Sequence, residues 1–121
     1  MRFRLALHRL TEAEFHGDLF LDTGEDPVPT YGMSQNDLQQ ILAMNIKGFR
    51  LLVERLAFLE PNCFQYKLLR KKDHRRLYLT YTGPIAGNRG SVENGLDGEI
   101  FFSFRSEPWP EKLWFLVQAE P

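Results

Sequence analysis

Residues 5–22, LALHRLTEAEFHGDLFLD, decide how the chain is read. Leu5 and Leu7, with Phe3 before them, alternate with Arg2, Arg4 and Ala6 and lead to His8. Period two is the spacing of a strand with one buried face. The pattern returns after a polar break: Phe15, Gly17, Leu19 and Leu21 share one parity, and His16, Asp18, Phe20 and Asp22 share the other. Side chains two apart on a strand lie about 7 Å apart on one face, so His16 and Asp18 can converge on one small object. His8, on what should be the neighbouring strand, can join them. Neutral imidazoles and a carboxylate on a rigid sheet suit a divalent transition metal, and three ligands on one side leave positions open for water or a substrate oxygen. The competing reading is plainer: an H-x-D triplet arises readily by chance, and surface histidines on strands are commonly just hydrogen-bonded.

Outward from this stretch, GEDPVP at 24–29 is turn-rich and closes the two-strand unit. Ser34 three residues before Asp37 forms a capping arrangement, with Leu38, Ile41 and Leu42 as the helical stripe. Residues 45–48 interrupt it, and Phe49, Leu52, Val53, Leu56 and Leu59 resume at helical spacing until Pro61. A helical insert near residues 34–59 is the expectation, although FRLLV at 49–53 also suits a short strand. RRLYLTYTG at 75–83 alternates again, with Leu77, Leu79 and Tyr81 on one parity and His74, Arg76, Tyr78 and Thr80 on the other. The glycines of 83–98 predict tight turns. EIFFSF at 99–104, with Ile100, Phe102 and Phe104 inward, and KLWFLVQ at 112–118, with Leu113, Phe115 and Val117 inward, predict two more strands. Many short strands and one helical insert predict a mainly β (α+β) fold, a small β-barrel or rolled antiparallel sheet, in a single domain over residues 1–121.

Composition narrows the partners. With 15 basic and 16 acidic residues the formal net charge is -1, so no bulk positive field marks a nucleic-acid coat or membrane-surface protein, and an anionic partner must be gripped locally. The single cysteine, Cys63, excludes an intrachain disulfide and a multi-cysteine zinc site. MRFRLALHRL at the amino terminus lacks the apolar core of a signal peptide, and no apolar run nears the roughly 18 residues that span a bilayer. A cytoplasmic protein without a membrane partner is the expectation.

FRLALH at 3–8, FHGDLFLDTG at 15–24 and DHRRLYLTYTGPIAGNRGSV at 73–92 together resemble the 3′-phosphoesterase domain of bacterial ATP-dependent DNA ligase D, particularly its short stand-alone relatives. The resemblance covers about residues 1–33 and 66–104, with residues 35–65 unaligned. It implies that His8, His16 and Asp18 hold a metal, usually manganese, with zinc or cobalt as alternatives. It also implies that His74 and Tyr78 contact the phosphate as the catalytic pair. The implied activity removes a 3′ phosphate or a 3′-terminal ribonucleotide from a DNA or DNA/RNA end, leaving a hydroxyl. A DNA ligase or polymerase is then a plausible partner. Phe20, Ala6 and the region of Gln35 stand where family members carry an arginine, a glutamine and a lysine. Arg4, on the parity of His8, and Arg89, in the glycine-rich turn, are candidates to replace those phosphate-binding groups. Two rivals remain: a non-catalytic module that binds nucleic-acid ends, and a mononuclear iron oxygenase with His16, Asp18 and His74 as its triad.

Overall fold

The computed structural model describes residues 1–101 and 108–121. Within them the chain forms β1 (Arg2–Arg9), β2 (Phe15–Leu21), β3 (Val28–Met33), α1 (Gln35–Leu42), β4 (Ile46–Leu52), β5 (Cys63–His74), a 3₁₀ turn (Arg76–Leu79), β6 (Gly83–Pro84), β7 (Ser91–Glu99) and β8 (Lys112–Ala119). The eight described strands make one antiparallel sheet in the order β4-β8-β5-β3-β2-β1-β7-β6, curled into a half-barrel. The fold is mainly β, a rolled sheet with one helix.

The alternation in the first two strands has the consequence expected of it. Phe3, Leu5 and Leu7 of β1 and Leu19 and Leu21 of β2 point into the concave side, where they pack with Tyr31, Leu68 and Phe115. Leu38 and Ile41 of α1 join the same core. Phe3, Phe49 and Phe115 bring β1, β4 and β8 together across the curl, with ring centroids 5.2, 5.8 and 5.5 Å apart. The backbone N–H of Leu51 donates to the carbonyl of Phe101 at 3.1 Å, tying the β4 edge to the residues that follow β7. A smaller apolar cluster of Ala6, Phe20, Val28 and Val92 lies under Tyr78, Leu79, Tyr81 and Ile85 on the other side of the sheet.

Several local expectations change. The Ser34 cap forms, its hydroxyl accepting the Asp37 N–H at 3.2 Å, but the helix ends at Leu42. Residues 46–52 are strand β4, because β8 offers an unpaired edge and Phe49 and Leu51 can pack inward only from an extended backbone. The helical insert over residues 34–59 is therefore corrected to one eight-residue helix followed by a strand. The alternating segment at 75–83 is not a strand either. Arg76 to Leu79 coil into a 3₁₀ turn, with the Arg76 N–H bonded to the Asp26 carboxylate at 2.8 Å and its guanidinium to Asp22 at 2.5 Å. Leu77, placed on the buried parity, is exposed there. The glycine-rich stretch divides: the short strand β6 at Gly83–Pro84 leads through a turn at 86–88 into strand β7 at residues 91–99. The strand expected at 99–104 is β7's end plus Ile100, which is buried; Phe102 and Phe104 lie outside the described residues. The strand at the carboxyl end is present, with Leu113, Phe115 and Val117 fully buried.

Gly95 shows why glycine persists inside a strand here. The β1–β7 register shifts between Leu5 and Leu7, a bulge, and a Cβ on Gly95 would sit 2.2 Å from the Leu5 carbonyl oxygen. Gly95→Ala is expected to lower the stability measured by denaturant unfolding by about 1–3 kcal/mol, the usual cost of overpacking; an unchanged midpoint would show that the bulge relaxes freely.

Candidate metal centre

The β1–β2 ladder sets the site. His8 pairs directly with His16, and Ala6 with Asp18. All three polar side chains leave the sheet on the side opposite the main core, and their ligand atoms lie within 4.8 Å of one another. His8 Nδ1 is 3.1 Å from His16 Nε2 and 3.7 Å from Asp18 Oδ2, while His16 Nε2 is 3.4 Å from Asp18 Oδ1. A cation bound at the usual ~2.0–2.2 Å by nitrogen and oxygen ligands spaces neighbouring ligand atoms by roughly 3.0–3.6 Å in octahedral or tetrahedral geometry. The 3.1 and 3.4 Å separations fall within that spacing, and the 3.7 Å separation lies just beyond it.

Protonation fits as well. His8 Nε2 lies 2.7 Å from the carbonyl oxygen of Arg89, which can only accept, so Nε2 carries the proton and Nδ1 presents its lone pair to the cluster. This is the backbone-anchored arrangement that orients ligating histidines. The glycine-rich turn thus contributes through its backbone. Gly90, with φ of 86°, lets that turn press against β1, where a Cβ would lie 1.9 Å from the Arg9 carbonyl oxygen. Asp18 is buried, and burial opposes its charge. Hydrogen bonds from His16 and Lys71 and the ammonium's charge outweigh that and hold its pKa below the ordinary carboxylate value. Asp18 is ionised at neutral pH and available as a ligand.

Lys71 is the member that the sequence left unmarked. Its Nζ donates to Asp18 Oδ1 at 2.7 Å and lies 3.3 Å from His16 Nε2. Its stem crosses β3 at Gly32, where a Cβ would come within 2.9 Å of the Lys71 Cδ. Within KLLRKKDHRR, at 67–76, this lysine looks like one more solvated charge. What selects it is register: β5 pairs Lys71 with Thr30 and His74 with Val28, three residues against two. That bulge puts Lys71 and His74 on one face although their sequence parities differ.

The remaining expected site residues divide. His74 and Tyr78 meet, with ring centroids 5.8 Å apart, but as a separate aromatic group around Phe20, which lies 5.5 Å from His74 and 6.0 Å from Tyr78. They are not four apart on one strand: His74 ends β5 and Tyr78 rides the 3₁₀ turn. His74 Nδ1 lies 2.8 Å from the Lys72 carbonyl oxygen, so its proton is on Nδ1 and Nε2 is left as the free nitrogen. Phe20, two residues beyond Asp18, is buried in the smaller apolar cluster against which Tyr78 packs. Arg4 is on the expected face but is buried and engaged. It donates to the carbonyls of Tyr78 and Tyr81, to Thr82 Oγ1 at 3.0 Å and to Asn94 Oδ1 at 3.1 Å. It fastens the turn that carries Tyr78 instead of meeting a phosphate. The Arg89 guanidinium bonds back to the Ala86 carbonyl at 2.8 Å, and only its backbone oxygen reaches the cluster. Gln35 ties down the loop before β2, accepting from the Phe15 N–H and donating to the Ala13 carbonyl, both at 2.9 Å.

Among the described residues, His8, His16 and Asp18 are the one group of this composition close enough to share an ion, and no helix is long and apolar enough to cross a membrane. Comparison with protein-family models, with curated proteins and with solved structures finds no match.

Removing the buried Arg4 guanidinium leaves the Tyr78 and Tyr81 carbonyls without their donor, whereas Thr82 and Asn94 are exposed and keep their mutual bond. Arg4→Met is expected to cost about 1–3 kcal/mol for groups left unpaired and to raise amide exchange in residues 76–82 before the rest of the sheet. Uniform exchange across the protein would argue against this fastening role.

Proposed function

We propose that the protein is a metal-dependent phosphoesterase that processes the 3′ ends of DNA, removing a 3′ phosphate or a 3′-terminal ribonucleotide to leave a hydroxyl. The observation that carries this reading is the convergence of His8 Nδ1, His16 Nε2 and the Asp18 carboxylate near ligand spacing; a histidine–tyrosine pair is grouped separately around Phe20. The residues fit a divalent cation, with manganese favoured and zinc or cobalt able to use the same donors. A cation held there would polarise a phosphoryl group for attack by water.

The chain's own residues supply the rest. His8 is held in its ligating tautomer by the Arg89 carbonyl, and the buried Asp18 brings the negative charge that favours a cation. Tyr78 offers a phenol to a phosphate oxygen. His74, whose Nδ1–H is held by the Lys72 carbonyl, would in its imidazolium form donate the Nε2 proton either to an equatorial oxygen or to the departing ester oxygen. Exposed Lys72 and Arg75 flank His74 and suit the backbone phosphates of a strand end. The balanced net charge agrees with an enzyme that grips one end of a strand and does not coat a duplex. A repair role beside a ligase or polymerase in the cytoplasm belongs to the same proposal. The oxygenase reading is weaker, because the histidine grouped with His16 and Asp18 is His8, while His74 belongs to the aromatic group.

An end-labelled primer-template carrying a 3′ phosphate or a single 3′ ribonucleotide tests this with and without Mn²⁺. Conversion to a 3′ hydroxyl should require the metal. It should fall in His8→Ala and Asp18→Asn by more than the ~10–100-fold that loss of an outer partner costs. His74→Ala should lose turnover while metal binding is retained. Folded protein that binds the 3′-phosphorylated end in a metal-dependent way without releasing product would instead identify an end-binding module.

A further inference from the structure

We infer that Lys71 is an internal competitor for the metal: its ammonium occupies the donor atoms that a divalent cation must use, and so sets the affinity of the site. This rests on the metal reading above. Asp18 Oδ1 accepts from Lys71 Nζ at 2.7 Å, and His16 Nε2 lies 3.3 Å from the same ammonium. A divalent cation coordinated by those two atoms would share them with the ammonium and stand within about 4 Å of Nζ, and two positive charges at that distance repel strongly in a partly buried setting. Lys71 must therefore withdraw as the cation enters.

The geometry makes such an exchange feasible and specific. The lysine reaches the cluster on a flexible stem from β5 and is still one-third exposed, whereas Asp18 is 6 % exposed at its side chain. Withdrawal returns the ammonium to water at small cost and leaves the carboxylate in place. The stem's path over Gly32 is kept clear only because that residue has no side chain. In the absence of metal the same contact offsets the cost of a buried carboxylate, which lets the β1–β2–β3 face form before any ion arrives.

The opposite role, a lysine that steadies Asp18 while the metal binds elsewhere on the carboxylate, predicts the opposite sign, so one measurement separates them. Mn²⁺ binding to the full chain is measured by titration calorimetry for wild type, Lys71→Met and Lys71→Gln, the last keeping a donor for Asp18 without the charge. Both variants are expected to bind Mn²⁺ roughly tenfold tighter, the scale of one charge-assisted bond between partly exposed partners. The rise in Tm on adding Mn²⁺ should be larger in both variants than in wild type, since tighter binding to the folded state stabilises it more. Equal or weaker binding by the variants overturns the inference while leaving the metal site standing. Absence of Mn²⁺ binding by all three proteins, with folding verified by circular dichroism, overturns both the inference and the metal reading beneath it.

Discussion

The register between β1 and β2 is the constraint on which the site rests. Antiparallel pairing of His8 with His16 and of Ala6 with Asp18 brings three donor side chains to one face, and sends Phe3, Leu5, Leu7, Leu19 and Leu21 to the other. A slip of one residue would turn one strand over relative to the other, burying its histidine in the core and exposing that strand's apolar groups. Burial of those apolar groups is worth about 1.5–3 kcal/mol each, so the hydrophobic core and the polar cluster are specified by the same pairing. The stability of one guarantees the geometry of the other.

From that ladder the rest of the site is assembled by elements distant in sequence. β7 and the glycine-rich turn before it deliver the Arg89 carbonyl that fixes the His8 tautomer. β3 contributes an absence, the missing side chain of Gly32, through which β5 passes Lys71. The 3₁₀ turn is pinned from two sides, by Arg4 beneath Tyr78 and by Asp22 and Asp26 on Arg76. The arginine on the parity of His8 is thus a structural fastener, and the charged group at the cluster is a lysine from another strand. Charge at a site is a matter of which side chain can reach it with its remaining donors uncommitted.

The readings that failed share a cause. FRLLV at 49–53 and RRLYLTYTG at 75–83 carry apolar residues at spacings that serve either a helix or a strand over so few residues, and local pattern cannot arbitrate. The open edge of β8 drew residues 46–52 into a strand, and hydrogen bonds from Arg4 to the Tyr78 carbonyl and from Arg76 to Asp22 and Asp26 coiled residues 76–79. Glycines at 95 and 98 look like turn residues, yet they lie in β7, the first at a bulge against Leu5. Lys71 was hidden among basic neighbours because its face depends on an extra residue in β5 relative to β3.

By itself the sequence determined the strand alternation of β1, β2 and β8, the Ser34-capped helix start, and the grouping of His8, His16 and Asp18. These follow from periodicities that each strand or helix imposes on its own side chains. Tertiary structure alone decided that Lys71 joins the cluster, that Arg4 is spent inside, that His74 and Tyr78 stand around Phe20 apart from the His8–His16–Asp18 cluster, and that residues 46–52 are extended. Each of these depends on the pairing of segments far apart along the chain, where bulges shift parity and competing hydrogen-bond partners are chosen. No property of a single segment records that choice.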